Sequence, residues 1–435
     1  MSERRRGLLS IRAFVALLSV YKSAAQQCRV NGVDQFCEPV PADQAFGVTP
    51  LTTSTCGSPP ENYCYTPIGG NRSCGFTCNS ASASTSHPPQ HMTDLPMLGT
   101  WWQTENDKQF PTLVDIDLPL RGNKSHEISY ISLKFRQLRP ESMIIFKSTD
   151  YGKTYTTAFQ FFSYSCQDTY NLQPNVIITS DSQVICKDLA TLSTADDVVT
   201  FMTTDDRPGN TAGEITSEEL RDFVTATGVR IRLTRIQTNS SDVRDLYYGI
   251  DSVNVLATCK CNGHASSCVE SSTGSLNCDC KHNTEGRNCE ACKALFNRKP
   301  WGVGTACEMC TCNSHSSACV FNQTVYELSG NLEDGGVCSN CQHNTAGNQC
   351  ELCAQFFYPN ISLLQDHPDI CIPCGCEVAG VMGGDIDCAR SASAGVAVGD
   401  CVCKTNVASR HCNVCKPEFW KLDVSNPNGC QRMYY

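Results

Sequence analysis

The sequence predicts a mainly β chain, a β-sandwich over 26–258 followed by three small disulfide-stapled modules. Three observations carry that prediction. Twenty-four of the 32 cysteines fall between 259 and 430, in three copies of one eight-cysteine pattern. The segment before them holds only eight cysteines and shows the apolar/polar alternation of half-buried strands. Residues 1–25 have the form of an export signal, which places all these cysteines where disulfides persist.

Residues 1–25 carry Arg4, Arg5 and Arg6, an apolar run from Leu8 to Val20 broken by Arg12, and Ser23-Ala24-Ala25. No later stretch approaches the roughly 20 apolar residues of a membrane span, and there is no apolar tail of the kind that directs a lipid anchor. The mature chain is therefore expected to be soluble, secreted and without a membrane span. Formal charge is −10, and losing the net +4 of residues 1–25 takes it to about −14. A chain this acidic, with no strong basic cluster, is not expected to bind nucleic acid, and weak or no heparin binding is expected.

Between 26 and 258, Ile131, Leu133 and Phe135 alternate with Ser132, Lys134 and Arg136, and Val229, Ile231 and Leu233 with Arg230, Arg232 and Thr234. Both runs read as strands with one buried face. Further strands are expected at Met143–Phe146, Val198–Met202 and Gly249–Val255, with a hairpin turn at Asp150-Tyr151-Gly152-Lys153. Thr216-x-x-Glu219 ahead of Leu220 and Phe223 reads as a capping box opening one short helix. Antiparallel strands with long, turn-rich loops predict a sandwich.

From 259 onward each copy opens with Cys-x-Cys (259/261, 310/312, 374/376). It runs through a core of Cys, eight residues, Cys, two residues, Cys (280/289/292, 341/350/353, 403/412/415) and closes at Cys307, Cys371 or Cys430. Modules this short cannot bury an adequate apolar core, and disulfides worth on the order of 2–4 kcal/mol each take its place. Zinc is the alternative for the Cys-x-x-Cys pairs, but the even, modular count favours bridges. Two residues separate successive modules, Glu308-Met309 and Ile372-Pro373, so a semi-rigid rod is expected.

The stretches CKCNGHASSC, CKHNTEGRNCEAC, CTCNSHSSAC and CQHNTAGNQCELC resemble laminin-type EGF-like modules, here 259–307, 310–371 and 374–430. The resemblance implies pairing of first with third, second with fourth, fifth with sixth and seventh with eighth cysteine. In the first module that is Cys259–Cys268, Cys261–Cys278, Cys280–Cys289 and Cys292–Cys307. In the second it is Cys310–Cys319, Cys312–Cys338, Cys341–Cys350 and Cys353–Cys371, and in the third Cys374–Cys388, Cys376–Cys401, Cys403–Cys412 and Cys415–Cys430. Thr405 and Ser409 replace the first module's His282 and Gly286, so a distorted turn is expected in the third. Upstream, CGSPPENYC, HPPQHMTDL, TWWQTEN, RPESMIIFKSTDYGKTY, DDRPG and FVTATGVRIRLTRIQ resemble the laminin N-terminal domain, which implies a jelly-roll sandwich. One such domain with three such modules is the arrangement of the netrin family, although Trp101 and Arg136 stand where several netrins place a cysteine pair and look more like laminin γ chains. A netrin would continue into a basic C-terminal domain, and this sequence stops at CQRMYY.

Cys166 and Cys186 are expected to pair. Cys28, Cys37, Cys56, Cys64, Cys74 and Cys78 allow fifteen pairings. By resemblance to netrin N-terminal domains, Asp94, Thr100 and Asp251 match positions that hold calcium, with carbonyls nearby such as that of His91; hard oxygens from a loop and a distant strand suit that ion. Asn71, Asn123, Asn239, Asn322 and Asn360 head glycosylation sequons. His264, His282, His315 and His343 follow the repeat and read as structural. No G-x-S-x-G, H-E-x-x-H or phosphate-binding loop is present, so no enzyme is expected. The resemblance implies a secreted ligand for DCC/neogenin-type and UNC-type receptors that guides axons or migrating cells. The alternative is a basement-membrane component that binds or caps laminin networks. Lys416, Phe419 and Trp420 lie in the module where the family places a receptor contact, and the two aromatics are expected to pack between modules instead.

Overall fold

A computed structural model describes residues 27–67, 70–95, 98–107, 113–137, 139–192, 198–237, 240–330, 332–393 and 395–433. The export signal expected at 1–25 lies outside them. The chain forms two compact units: one runs to Cys280 and includes Gly286–Cys289, the other comprises Lys281–Glu285 and Glu290 onward. The first half of the first module thus belongs with the sandwich.

In the first unit, β-branched and aromatic runs build two six-stranded sheets. In chain order their strands are β1 Ala42–Asp43, β2 Leu51–Thr52, β3 Trp102–Gln103, β4 Val114–Pro119, β5 His126–Phe135, β6 Pro140–Ser148, β7 Thr157–Ser163, β8 Cys186–Asp188, β9 Val198–Met202, β10 Thr225–Ala226, β11 Gly228–Ile236 and β12 Gly249–Cys259. One sheet runs β8-β7-β6-β11-β4-β2; the other runs β9-β5-β12-β1, with β10 on β5 and β3 on β12. Only β7–β8 among these pairs is parallel. Alternation fixes the faces: Ile131, Leu133 and Phe135 of β5 and Val229, Ile231 and Leu233 of β11 are buried in one core with Ile116, Ile145, Val253 and Val255. On the opposite face, β4 and β11 align Asp117 with Arg230 and Asp115 with Arg232. Each is a two-pronged ion pair, at 2.5 and 2.7 Å and at 2.7 and 2.8 Å, the fork geometry that guanidinium and carboxylate share.

The strand at 249 runs four residues past its expected end, because Thr258 and Cys259 pair with Glu127 and His126 of β5. The sandwich thereby delivers the first module's first cysteine from its own sheet. The turn at 150–153 joins β6 to β7, with Ser148 and Thr154 donating to the Asp150 carboxylate at 2.7 Å each. The capping box falls one residue from where the sequence put it. Helix α1 spans Glu218–Val224, and Ser217 caps it by accepting from the Leu220 N–H at 3.0 Å. Glu219 points elsewhere and accepts from the backbone N–H of Ser182 at 3.2 Å. A serine hydroxyl reaches the exposed N–H groups of a first turn as well as threonine does.

The second unit consists of small hairpins whose buried clusters are built largely of half-cystines. Backbone bonds join successive modules: Cys310 and Cys319 donate to Leu295 and Ala294 at 2.9 and 2.7 Å, and Cys374 donates to Phe356 at 2.9 Å. The third module keeps its turn, contrary to the expected distortion. Val407–Ala408 pairs with Val414–Cys415 as Thr284–Glu285 pairs with Ala291–Cys292. The cost falls on Ser409, which holds φ 79° where the other modules have Gly286 and Gly347 at 95°. Among the described residues no helix is long and apolar enough to cross a membrane.

Candidate functional site

All cysteines are disulfide-bonded, which removes zinc as a reading of the Cys-x-x-Cys pairs. The modules are joined first to third, second to fourth, fifth to sixth and seventh to eighth. Cys166 is joined to Cys186. The six early cysteines, which sequence spacing left open, form Cys28–Cys37, Cys56–Cys78 and Cys64–Cys74.

Trp101 and Arg136 meet. The Arg136 guanidinium lies 4.2 Å from the centre of the Trp101 ring and 4.8 Å from that of Tyr65. Trp101 stacks in turn on His87 at 3.9 Å, and Tyr63 stands edge-on to both His87 and Tyr247. A cation held between two ring faces thus links the segments carrying these two positions. The Asp251 carboxylate on β12 balances it, 3.6 Å from Arg136 and 3.8 Å from Lys134.

That placement decides how the three expected calcium ligands sit. The Thr100 hydroxyl donates to Asp94 at 2.7 Å, so two hard oxygens of the kind calcium takes lie together. Beside them His91 Nδ1 is 3.2 Å from the Trp101 carbonyl, so that backbone oxygen already has a partner. Asp251 fits less well. Burial pushes its carboxyl above the ordinary carboxylate range, Arg136 and Lys134 pull against that, and a carboxylate already matched by two cations attracts a third weakly.

Three groups of this unit are shifted far enough to titrate well away from their ordinary values between about pH 4 and 7. His87 and His126 are driven down to about 4, chiefly by burial. Glu38 is pushed up to about 7, first by burial and then by Glu127, against the pull of Arg221, which lies 3.7 Å from Glu38 and 3.3 Å from Glu127. The depressed histidines make the unfolded chain the better proton acceptor between about 6.5 and 4, so their contribution to stability is lost as pH falls through that window. Glu38 acts oppositely, its contribution fading as pH rises from 4.5 to about 7. Asp43 and Asp251, whose carboxyls burial also raises, act in the same sense as Glu38, so substitution isolates the histidines: in urea denaturation followed by tryptophan fluorescence, His87→Gln with His126→Gln should raise the midpoint at pH 4.5 relative to that at pH 7, and an unchanged relation would contradict their role.

Asn71, Asn123 and Asn322 are exposed, Asn360 is half-buried, and Asn239 lies outside the described residues. Asn322 also caps a short helix, accepting from the Val325 N–H at 3.1 Å. His315 is buried and its Nε2–H donates to the Gln365 carbonyl at 2.7 Å, which leaves Nδ1 to accept from His343 at 2.9 Å. This histidine pair ties a loop down. In the third module Phe419 packs against the cystine cluster, whereas Trp420 is 51% exposed and does not take the packing role expected of it.

Residues 37–257 match the family described as Laminin N-terminal (Domain VI). Residues 259–307 and 374–430 match the laminin EGF domain, and 310–362 the laminin/attractin EGF domain. The chain is similar to laminin subunit gamma-1 of Danio rerio, at 34% identity over 89% of this chain and 24% of that one. It is similar to laminin subunit gamma-1 of Homo sapiens at 33%, over 95% of this chain and 26% of that one. It is also similar to the laminin-like protein lam-2 of Caenorhabditis elegans at 33%, over 93% and 25%. The chain therefore spans about a quarter of the length of these curated relatives.

Proposed function

Since this chain belongs to the laminin N-terminal (domain VI) family, with laminin EGF domains behind that domain, we propose that it docks its sandwich onto laminin chains in the extracellular matrix and joins or caps their network. The observation that carries this reading is the similarity to laminin gamma subunits, which runs through the sandwich and all three modules. The family is one of structural extracellular proteins, and we read this member likewise as a non-enzyme.

Purified laminin polymerised with and without an excess of this protein supplies the test. Docking should change the polymer fraction recovered by sedimentation, downward if the chain caps and upward if it joins. An unchanged fraction across a concentration series would dismiss the network reading. Exposed Trp420 on the hairpin Phe419–Leu422/Cys430–Arg432 favours a second reading, contact with DCC/neogenin-type or UNC-type receptors that guide axons or migrating cells. Trp420→Ala should then abolish receptor binding and leave laminin polymerisation unaffected.

Calcium belongs to this proposal as a structural ion at Asp94 and Thr100. Chelation should lower the melting temperature of the first unit, and Asp94→Ala should make it insensitive to chelator. Asp251→Ala should destabilise with or without chelator, because it leaves Arg136 without its counter-ion. If Asp94→Ala and the parent respond alike to chelation, the ion is elsewhere or absent.

A further inference from the structure

The sequence contains three Asn-Gly pairs, Asn31-Gly32, Asn262-Gly263 and Asn428-Gly429. Such a pair can react with itself, because glycine has no Cβ to keep its backbone nitrogen away from the asparagine carboxamide. Three conditions decide whether it does: a free side-chain amide, a free glycine N–H, and room for the two to close a five-membered ring. The fold meets them at one pair and denies them at two.

Asn262 is 7% exposed and its Nδ2 donates to the Asn288 carbonyl at 2.8 Å, so its carboxamide is held. Asn428 is exposed, but the Gly429 N–H donates to the Asn426 carbonyl at 2.9 Å, and Gly429 is buried where a Cβ would run into Val407. There the nucleophile is engaged. Asn31 and Gly32 form the two-residue turn between Arg29–Val30 and Val33–Asp34, and both are exposed. Among the described residues neither the Asn31 carboxamide nor the Gly32 N–H has a hydrogen-bond partner, and nothing lies within 4 Å of the place a Gly32 Cβ would take. The turn itself, with φ 51° and 83°, keeps nitrogen and carboxamide apart until it opens. It is held lightly: its strands are two residues long, Val30 and Val33 are 43% and 61% exposed, and so small a hairpin is marginal by itself.

We propose that Asn31 is a site of self-modification, at which the chain deamidates through a cyclic imide. The Gly32 nitrogen attacks Asn31 Cγ, the Cγ–Nδ2 bond breaks, and ammonia leaves with the proton of the glycine N–H. Water then opens the ring, at Cγ to give aspartate or at the backbone carbonyl to give isoaspartate, and no oxidant or cofactor enters. Either product adds a negative charge to a turn whose Gly32 carbonyl already accepts from Arg29 Nε at 3.1 Å. Isoaspartate also adds one atom to the main chain, so the turn no longer sets Val30 opposite Val33. The Cys28–Cys37 bridge encloses the hairpin and confines the change to that loop. The modification is independent of network docking, since it needs only water.

Peptide mapping of the full chain, aged in mildly alkaline buffer at body temperature, tests this with fragmentation that separates aspartate from isoaspartate. Asn31 should convert at least about tenfold faster than Asn262 or Asn428. The reduced, unfolded chain is the control, and in it the three rates should converge. Asn31→Asp supplies a residue that the turn accepts, so hydrogen exchange of 28–37 should rise in the isoaspartate fraction and stay unchanged in this variant. Equal conversion at the three sites of the folded chain, faster conversion at Asn262 or Asn428, or an Asn31 that reacts only once the chain is unfolded would each overturn the proposal.

Discussion

Replacing Lys124 by methionine is expected to destabilise the first unit by roughly 1–3 kcal/mol, the cost of leaving a buried acceptor without its donor. Lys124 is fully buried, and its ammonium donates to the carbonyls of Lys260 and Arg287 at 3.1 and 2.7 Å and to the Asn288 side chain. Those acceptors belong to the first half of the first module, so one amine from the sandwich holds two turns of its neighbour. Methionine matches the stem but takes the charged donor from the Lys260 carbonyl, whereas the Arg287 carbonyl keeps the Cys278 N–H at 3.1 Å. Arg121→Ala, which breaks only the exposed 3.3 Å pair with Glu270, should cost under about 1 kcal/mol. Chemical denaturation of the two variants separates them, and equal losses would show that the amine is not what joins the two parts.

The second large effect is on reduction. In the modules of the second unit the half-cystines make up most of the buried clusters, so cutting the bridges removes core and cross-link together. The principal core of the sandwich contains no cysteine at all. Graded reductant should therefore expose the backbone of Glu290–Tyr435 to hydrogen exchange well before that of the sandwich strands. Cys341→Ser with Cys350→Ser should by itself cost about 2–5 kcal/mol and unfold the second module near 37 °C. Simultaneous loss of protection in both units would contradict this.

The alternation in β5 and β11, the bounds of β9 and the modular cysteine spacing were legible because each is a short-range pattern with a fixed period. What escaped was set by tertiary contact. The four extra residues of β12 exist because β5 offers partners there, and nothing in the run Leu256–Cys259 announces it. Ser217 displaced Thr216 as the cap within a stretch where either residue qualifies. Asp251 illustrates the harder case. Its neighbours Lys134 and Arg136 are remote in sequence, and only the pairing of β5 with β12 shows that its charge is already matched.

The ring-and-guanidinium contact between Trp101, Arg136 and Tyr65 has a consequence for biosynthesis. A covalent cross-link at this place would have to wait for an oxidant and could form with the wrong thiol among 32 cysteines. The non-covalent clasp needs no oxidase, closes as soon as the two segments meet, and opens again if they meet wrongly. It lowers by two the number of sulfurs that the secretory pathway must sort, and it gives the early sandwich a non-covalent latch around which the covalent bonds of Cys56–Cys78 and Cys64–Cys74 can be set in register.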